Sequence, residues 1–332
     1  MNILRAVKVS VVHANIIDFR ADALILKFAQ SLYGSDSAIY ERLDPKQRAV
    51  SMPEIGQYIS HKTQGILGAD FVFFIGVAPL YTFGYSEIRE FAARGIEVVS
   101  KVLPDASYLA LTIHGPGYGL DEIEAFESAL AGVVDGLSNV SLDSNISNVT
   151  FVERNEGRAR RLAAALKRLL PKSEIPTSKY GGIKTLDEST RITLRSVGYA
   201  SASKPRVFVA MPFATEMDDV FHYGIQGASN AAGLLCERAD LAAFTGDVIG
   251  WIKERISTAQ FLIADLTNAN ANVYLEVGYA WGKGVPTILL CKNVDSDLKF
   301  DTRGQRCIVY TSIKHLEESL SRELNLLINY ES

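Results

Sequence analysis

The 332-residue sequence has little cysteine and no long uninterrupted apolar run. Its three cysteines are isolated, without CxxC or cysteine–histidine spacing, so a disulfide framework is excluded and a structural metal is not expected. No window reaches about eighteen consecutive apolar residues, and the first residues lack the apolar core of a signal peptide. We therefore expect a cytoplasmic protein with no membrane span, no metal and no cofactor.

The sequence also lacks an excess of positive charge. Lysine and arginine number 34 against 38 aspartates and glutamates, a net charge of −4, which disfavours a dedicated nucleic-acid binder. Hydrophobic residues make up 48% and charged residues 22%, the balance of a folded chain rather than a disordered one. At about 150 residues per domain, the length predicts two domains.

The hydrophobic pattern alternates between strand-like and helix-like segments, which indicates an α/β fold. In residues 1–170 it predicts strands at 7–12, 23–26, 71–75 and 108–112, and helices at 86–99, 121–137 and 156–170. Residues 171–204 are rich in Ser, Thr, Lys and Gly and predict a linker with only a short strand near 192–194. We interpret residues 1–170 as a separate α/β sensor or regulatory domain.

The alternation restarts at Pro205 and continues through residues 205–332. Strands are predicted near 205–211, 234–236, 261–265, 286–291 and 306–310, with helices near 216–232, 247–258, 271–284 and 313–328. Five strands with intervening helices predict an open, doubly wound parallel sheet of the flavodoxin type.

Ligands of such sheets bind beyond the carboxyl ends of the strands, where the strand order reverses. This rule nominates the residues that follow the first three strands of the second domain. They are Met211, Pro212 and Phe213, then Arg238 and Asp240, and then Asp265, Leu266 and Thr267.

The helix predicted after Asp265 carries a second carboxylate, Glu276. Asn272 and Tyr279 lie four residues before and three residues after it, so the three side chains share one helical face. Two carboxylates facing a sugar suit N-glycoside cleavage, because one can attack or stabilise C1′ while the other orients a hydroxyl or handles a proton.

Each nomination has a structural alternative. Asp265 could cap a turn, Glu276 could be a solvated helix residue, and Asn272 could cap its helix. Arg238 could pair with Asp240 on the surface. Met211 and Phe213 could belong to the core.

The motifs VFVAMPF (207–213), RAD (238–240), IADLT (263–267) and NANVYLEVGYA (270–280) resemble the nucleoside 2-deoxyribosyltransferase-like superfamily, which is related in fold to TIR domains. The resemblance implies that Glu276 is the nucleophile, that Asp265 orients or protonates the substrate, and that Asn272 positions it. It places Met211–Phe213 along the base and sugar pocket and Arg238 at a phosphate or ribose. Asp240, Thr267 and Tyr279 complete the expected substrate contacts.

One departure from that family concerns the loop before Glu276. Asn270 and Asn272 stand where true deoxyribosyltransferases usually carry a carboxylate, which puts base exchange in question. Relatives of this branch are often fused to other modules in bacterial antiphage and stress systems. The resemblance therefore implies a regulated effector that cleaves the N-glycosidic bond of a nucleotide or NAD, held as a homo-oligomer and activated by a ligand or by assembly.

The segments VKVSVVHANIIDFRADALILKF and LTIHGPGYGLDEIEAFESAL resemble a divergent macro-type domain, a family that binds ADP-ribose-like ligands. The resemblance suggests a nucleotide-type ligand near Asn15, Gly115, Gly117 and Gly119. Asn15 stands where an acidic residue near the adenine is expected. The glycines could instead only form a tight turn between strand and helix. His114 beside them is interpreted as a packed or capping residue rather than a catalyst.

Two other functions remain open from the sequence. Both domains could bind nucleotides without catalysis, which would make the protein a receptor or scaffold for a nucleotide signal. The chain could also be a degenerate partner that assembles with an active homologue.

Overall fold

A computed structural model describes residues 5–48, 50–140, 144–177, 186–238, 248–299, 302 and 304–331. The chain forms two compact units. The first comprises residues 1–116 and 122–202, and the second comprises residues 117–121 and 203–332.

The first unit is built on a seven-stranded mixed sheet of order β3-β4-β2-β5-β6-β1-β7. Its strands are β1 (Arg5–His13), β2 (Ala23–Phe28), β3 (Tyr58–Lys62), β4 (Phe71–Gly76), β5 (Tyr108–Leu111), β6 (Asn148–Glu153) and β7 (Glu174–Thr177). The five inner strands run parallel, and the two edge strands β3 and β7 are antiparallel to their neighbours. The runs ALILKF and FVFFIG form central strands because apolar residues occupy both faces, as a sheet covered on both sides requires.

Helices of the first unit are α1 (Gly34–Tyr40), α2 (Pro45–Arg48), α3 (Tyr85–Val102), α4 (Glu122–Asn139), α5 (Glu156–Leu169) and α6 (Glu188–Ser196). Asn155 caps α5 by accepting a hydrogen bond from the Arg158 N–H, and Pro171 follows the end of that helix. The helices predicted at 86–99, 121–137 and 156–170 correspond to α3, α4 and α5.

The stretch predicted as an irregular linker contains regular structure, β7 and α6. The short strand predicted near residues 192–194 is wrong, because those residues lie inside α6. Thr190 and Leu194 are its buried residues, and a four-residue spacing between buried positions is helical. Asp187 caps the helix by accepting a hydrogen bond from the Thr190 N–H at 2.9 Å. The Arg89 guanidinium donates to the carbonyl of Leu194 at the other end.

The second unit contains a five-stranded sheet of order β12-β11-β10-β8-β9, with every pair parallel. Its strands are β8 (Arg206–Ala210), β9 (Leu235–Arg238), β10 (Phe261–Asp265), β11 (Thr287–Cys291) and β12 (Cys307–Val309). This is the flavodoxin-type order that the sequence predicts.

Two helical layers cover this sheet. The helices are α7 (Gln226–Ala231), α8 (Val248–Ser257), α9 (Ala271–Gly282), α10 (Val294–Asp297) and α11 (Ile313–Glu331), and a π-helical turn at Val220–Ile225 leads into α7. Odd-numbered residues of β8 and β10 pack with the π-turn, α7 and α11, while even-numbered residues pack with α8 and α9. Two separate apolar cores result, one on each face.

Candidate functional site

The chain order of the second sheet reverses between β8 and β10. The connection from β8 leads outward to β9, whereas β10, β11 and β12 follow on the opposite side. An open parallel sheet has its ligand crevice beyond the carboxyl ends of the two strands at such a point. The segments after β8 and β10, which carry Phe213 and Thr267, therefore border the candidate site.

On the β8 side, the structure separates residues that the sequence grouped together. Met211 and Pro212 are buried, and Met211 packs in the core with Val209 and Ile263. Phe213 is 49% exposed, so its ring is not a core residue. Only Phe213 of this segment offers an accessible aromatic surface.

Asp265 ends β10 and is completely buried. One carboxylate oxygen accepts the Thr267 backbone N–H at 3.0 Å, and the other accepts the Tyr310 hydroxyl at 2.8 Å. Burial raises the pKa of Asp265, although these hydrogen bonds and the charge of Lys292 oppose the rise. Both oxygens are thus engaged within the unit.

Glu276 lies on α9, which begins at Ala271 as the sequence predicts. Its carboxylate is partly buried, and burial raises its pKa to about 7. Within the described parts of the chain it has neither a hydrogen-bond partner nor an ion-pair partner. A partly buried carboxylate without a partner costs stability, so its presence in an apolar helix requires another explanation.

The two carboxylates approach the sheet edge from opposite faces. Asp265 lies two residues after Ile263 and therefore shares its face of the sheet, the face covered by α11, where it contacts Tyr310. Helix α9 packs on the other face through Val273 and Val277. Neither carboxylate hydrogen-bonds to the other.

Asn272 does not cap α9, contrary to one of the sequence-based alternatives. The N-cap is Asn270, whose side chain accepts the Asn272 backbone N–H at 2.9 Å. The Asn272 side chain is exposed on the flank of α9 that carries Glu276. Tyr279 lies farther along this flank, where its hydroxyl is 3.1 Å from the Ser257 hydroxyl of α8.

The loop between β10 and α9 has unusual backbone geometry. Asn268 and Ala269 have φ values of 62° and 48°, both left-handed, and alanine rarely adopts this conformation. Thr267, directly before them, is buried. Such strain is concentrated at ligand sites in folded proteins.

Arg238 ends β9 and interacts with the segment after β8. Its guanidinium lies 4.2 Å from the Phe221 ring centre and 5.7 Å from the Phe213 ring centre. Its Nη2 atom is 3.5 Å from an Asp218 carboxylate oxygen. Asp240, the salt-bridge partner considered from the sequence, lies outside the described residues.

Three further residues at this edge were missed by the sequence analysis. Lys292 and Tyr310 directly follow β11 and β12, so their signal in the sequence is the same position after a strand end. Asp297, buried in the four-residue helix α10, accepts the backbone N–H groups of Asn268, Lys292 and Asn293 at 3.1, 3.1 and 2.9 Å. No local sequence signal marks it.

The four candidate residues of the N-terminal ligand site do not all share a unit. Asn15 and Gly115 belong to the first unit, and Gly117 and Gly119 to the second. The Asn15 side chain bonds to Asp18 at 2.8 Å in a local turn. A Cβ at Gly119 would lie 2.4 Å from the Trp251 ring, so this glycine permits a close packing contact.

A buried polar cluster occupies the first unit at the ends of β2 and β5. Lys27 pairs with Asp36 at 2.5 Å, and both are buried. His114 lies 3.3 Å from the Thr112 hydroxyl and packs edge-on against Phe91. Burial and the nearby Lys27 charge hold the His114 pKa well below its usual value, so the imidazole is neutral. His114 is packed, as interpreted from the sequence.

Among the described residues, no group of three or more His, Cys, Asp and Glu side chains is placed to hold a metal ion. No described helix has the length and apolar character needed to cross a membrane.

No known protein-family model and no curated protein matches the chain. A macrodomain from Oceanobacillus iheyensis, solved with MES bound, is similar in structure with a TM-score of 0.38 and 16% sequence identity. The alignment covers 51% of this chain and 99% of the macrodomain. A likeness of this strength assigns neither a family nor a ligand to this chain.

Proposed function

We propose that the second unit cleaves the N-glycosidic bond of a nucleotide or of NAD. The observation that carries the proposal is Glu276, a partly buried and unpartnered carboxylate whose pKa is raised to about 7, on the helix that follows the switch-point strand β10. Perturbed carboxylates in a crevice of this kind are frequent at functional sites.

In this reaction the bond between C1′ and the base nitrogen breaks, and its electron pair leaves with the base. The positive charge that develops at C1′ is met by the Glu276 carboxylate, which either forms a covalent glycosyl ester or stabilises the cation. Water or another acceptor then attacks C1′, which breaks the ester bond where one has formed and restores the Glu276 carboxylate. The proton of the acceptor passes to the released base or to solvent. Glu276 acts in its ionised form, and a cationic transition state favours that form.

The remaining residues have supporting roles in the proposal. Asp265 is a positioning residue, because its bonds to Thr267 and Tyr310 fix the start of the loop that leads to α9. Exposed Asn272 orients a sugar hydroxyl. Phe213 supplies the aromatic surface for the base.

The test is chromatography of the purified protein after incubation with NAD, ribonucleotides and deoxynucleotides. Release of free base or nicotinamide identifies the reaction and the substrate class. Absence of free base from every compound, at high protein concentration and with ADP-ribose added, would contradict the proposal.

A receptor for a nucleotide signal is the second candidate, favoured by the asparagines at positions 270 and 272 where base-exchange enzymes carry a carboxylate. A ligand that binds only the folded state raises its melting temperature whether or not it is turned over. Thermal stabilisation without any product would therefore favour the receptor. A regulated effector of bacterial antiphage or stress response is the setting that the sequence resemblance suggests for the enzyme.

A further inference from the structure

Two basic side chains converge on the segment after β8 from opposite sides of the crevice. From β11, the Lys292 ammonium lies 4.0 Å from the Met217 sulfur. From β9, Arg238 reaches Asp218, the next residue along the chain. Because β8 and β10 lie between β9 and β11, these cations flank the switch point.

The two cations differ in how their charge is compensated. Arg238 has the Asp218 carboxylate and two aromatic faces. Lys292 is exposed, with no carboxylate within ion-pair distance in the described ranges. The neighbouring Asp265 carboxylate already accepts bonds from Thr267 and Tyr310 on both oxygens. The Lys292 ammonium lies 5.8 Å from the Tyr310 ring centre and acts on Asp265 only through its charge. Lys292 thus presents a positive charge, without a direct ion pair to any described residue, at the edge where a ligand binds.

The backbone of Lys292 is held in place by Asp297. The buried Asp297 carboxylate accepts the N–H groups of Lys292 and Asn293 at 3.1 and 2.9 Å. These two backbone donors are therefore not available to a ligand. An anion at this strand end would be held by the Lys292 side chain.

The opposite side of the crevice offers an apolar surface. The Phe213 ring is half exposed and follows β8, two strands from Lys292 in the sheet. Nucleobases of every kind stack on aromatic rings. A ligand with a flat base at one end and an anion at the other matches this arrangement.

We propose that Lys292 is a specificity-determining residue that binds a 5′-phosphate of the substrate, while the base stacks on Phe213. This inference rests on the proposed function, because it orients the substrate across the same crevice. The group recognised is a phosphate on the 5′ oxygen of the ribose, either the monoester of a mononucleotide or part of the diphosphate of NAD.

The test is isothermal titration of the full-length protein with four nucleosides, their 5′-monophosphates and NAD. For the base that binds, the monophosphate is expected to bind at least about tenfold tighter than the nucleoside, as expected for one charge-assisted hydrogen bond. Tighter binding of NAD than of any monophosphate would identify the dinucleotide as the source of the phosphate.

Four variants separate the contacts. Lys292→Ala should remove the preference for phosphate and leave nucleoside affinity unchanged, whereas Lys292→Arg should keep most of it. Lys172→Ala, which removes an exposed lysine of the first unit, is the control and should have no effect. Phe213→Ala should weaken nucleoside and nucleotide equally.

Equal affinity for nucleoside and monophosphate, no binding of any compound, or an unchanged preference in Lys292→Ala would each overturn the inference. Failure of the proposed function is distinguishable, because Lys292-dependent binding of a monophosphate without base release would contradict the glycosidase and leave the phosphate site in place.

Discussion

At the scale of single residues, Glu276 makes stability depend on pH. Its pKa is about 7 in the folded protein and 4.5 as its ordinary value. The folded state therefore binds the proton more tightly between these values, and the free energy of unfolding falls as pH rises through that window. Glu276→Gln should abolish this fall. Its free energy of unfolding should therefore rise relative to that of the parent by up to about 3 kcal/mol between pH 4.5 and pH 8.

Urea unfolding across this pH range measures the effect. Glu254→Gln, an exposed glutamate on α8, is the control and should follow the parent curve. Parallel curves for the parent and Glu276→Gln would show that the carboxylate is not perturbed.

Gly117 and Gly119 provide a matched pair for the glycine motif. Gly119 has φ +83° and its missing Cβ would meet Trp251 at 2.4 Å, whereas nothing lies within 4 Å of a Cβ at Gly117. Gly119→Ala should lower the free energy of unfolding by about 1–3 kcal/mol, and Gly117→Ala should change it by less than about 0.5 kcal/mol. Thermal denaturation of both variants compares their stabilities. Equal melting temperatures would count against the packing explanation for Gly119.

At the scale of elements, α10 joins the loops of the site through Asp297. Burial alone would raise the pKa of Asp297, but hydrogen bonds from Asn293, Ser296, Asn268 and Lys292 hold it below its ordinary value of 3.8. The stabilisation is therefore present above pH 3.8 and is lost as pH falls through the folded pKa. Asp297→Asn should cost about 1–3 kcal/mol at pH 7, and this cost should shrink as the pH is lowered from 3.8 to about 2.

Urea unfolding of Asp297→Asn and of Asp295→Asn at pH 7 and at about pH 2 measures this change in the free energy of unfolding. Asp295 is exposed on the same helix and its variant should behave like the parent. A loss of the same size at both pH values would indicate that the ionised carboxylate is not what holds the loops.

The elements of the second unit could be predicted because its strands are apolar on both faces and its helices begin at polar loops. FLIAD forms β10 over the predicted residues, and α9 starts at the predicted Ala271. The edge strands β3 and β7 and the strand β6 were not predicted, and α6 was mistaken for a strand. The segments β3, which is half-exposed, and β7, which has four residues, carry too few periodic positions to distinguish the two patterns. β6 is buried over most of its length, but polar Asn148, Thr150 and Glu153 interrupt its apolar run.

From the sequence, the candidate site could be predicted only for residues that directly follow a strand or lie on the helix after it. Alternation along β10 directs Asp265 away from the face that α9 covers, and the strand-end motif alone does not indicate which face its last side chain takes. The contacts of Asp297 join residues 268, 292 and 293, so they depend on how three segments meet. Long-range hydrogen bonds of this type have no sequence period.

At the scale of the whole molecule, the two-unit chain is expected to be a regulated enzyme. We predict that base release by the full-length protein increases more than in proportion to protein concentration, or increases when an ADP-ribose-type ligand is added, because ligand binding or assembly favours the active state. Steady-state rates over a hundredfold range of concentration, with and without ADP-ribose, measure this. Constant specific activity under all of these conditions would contradict regulation by either route.

The most direct test of the central claim is the rate of base release at pH 8 from the best substrate of the panel, compared between the parent, Glu276→Gln and Glu254→Gln. At this pH the Glu276 carboxylate is mostly ionised. The parent and Glu254→Gln should release base at the same rate, and Glu276→Gln should lose at least about a hundredfold. Undiminished release by a folded Glu276→Gln would show that the reaction does not depend on this carboxylate.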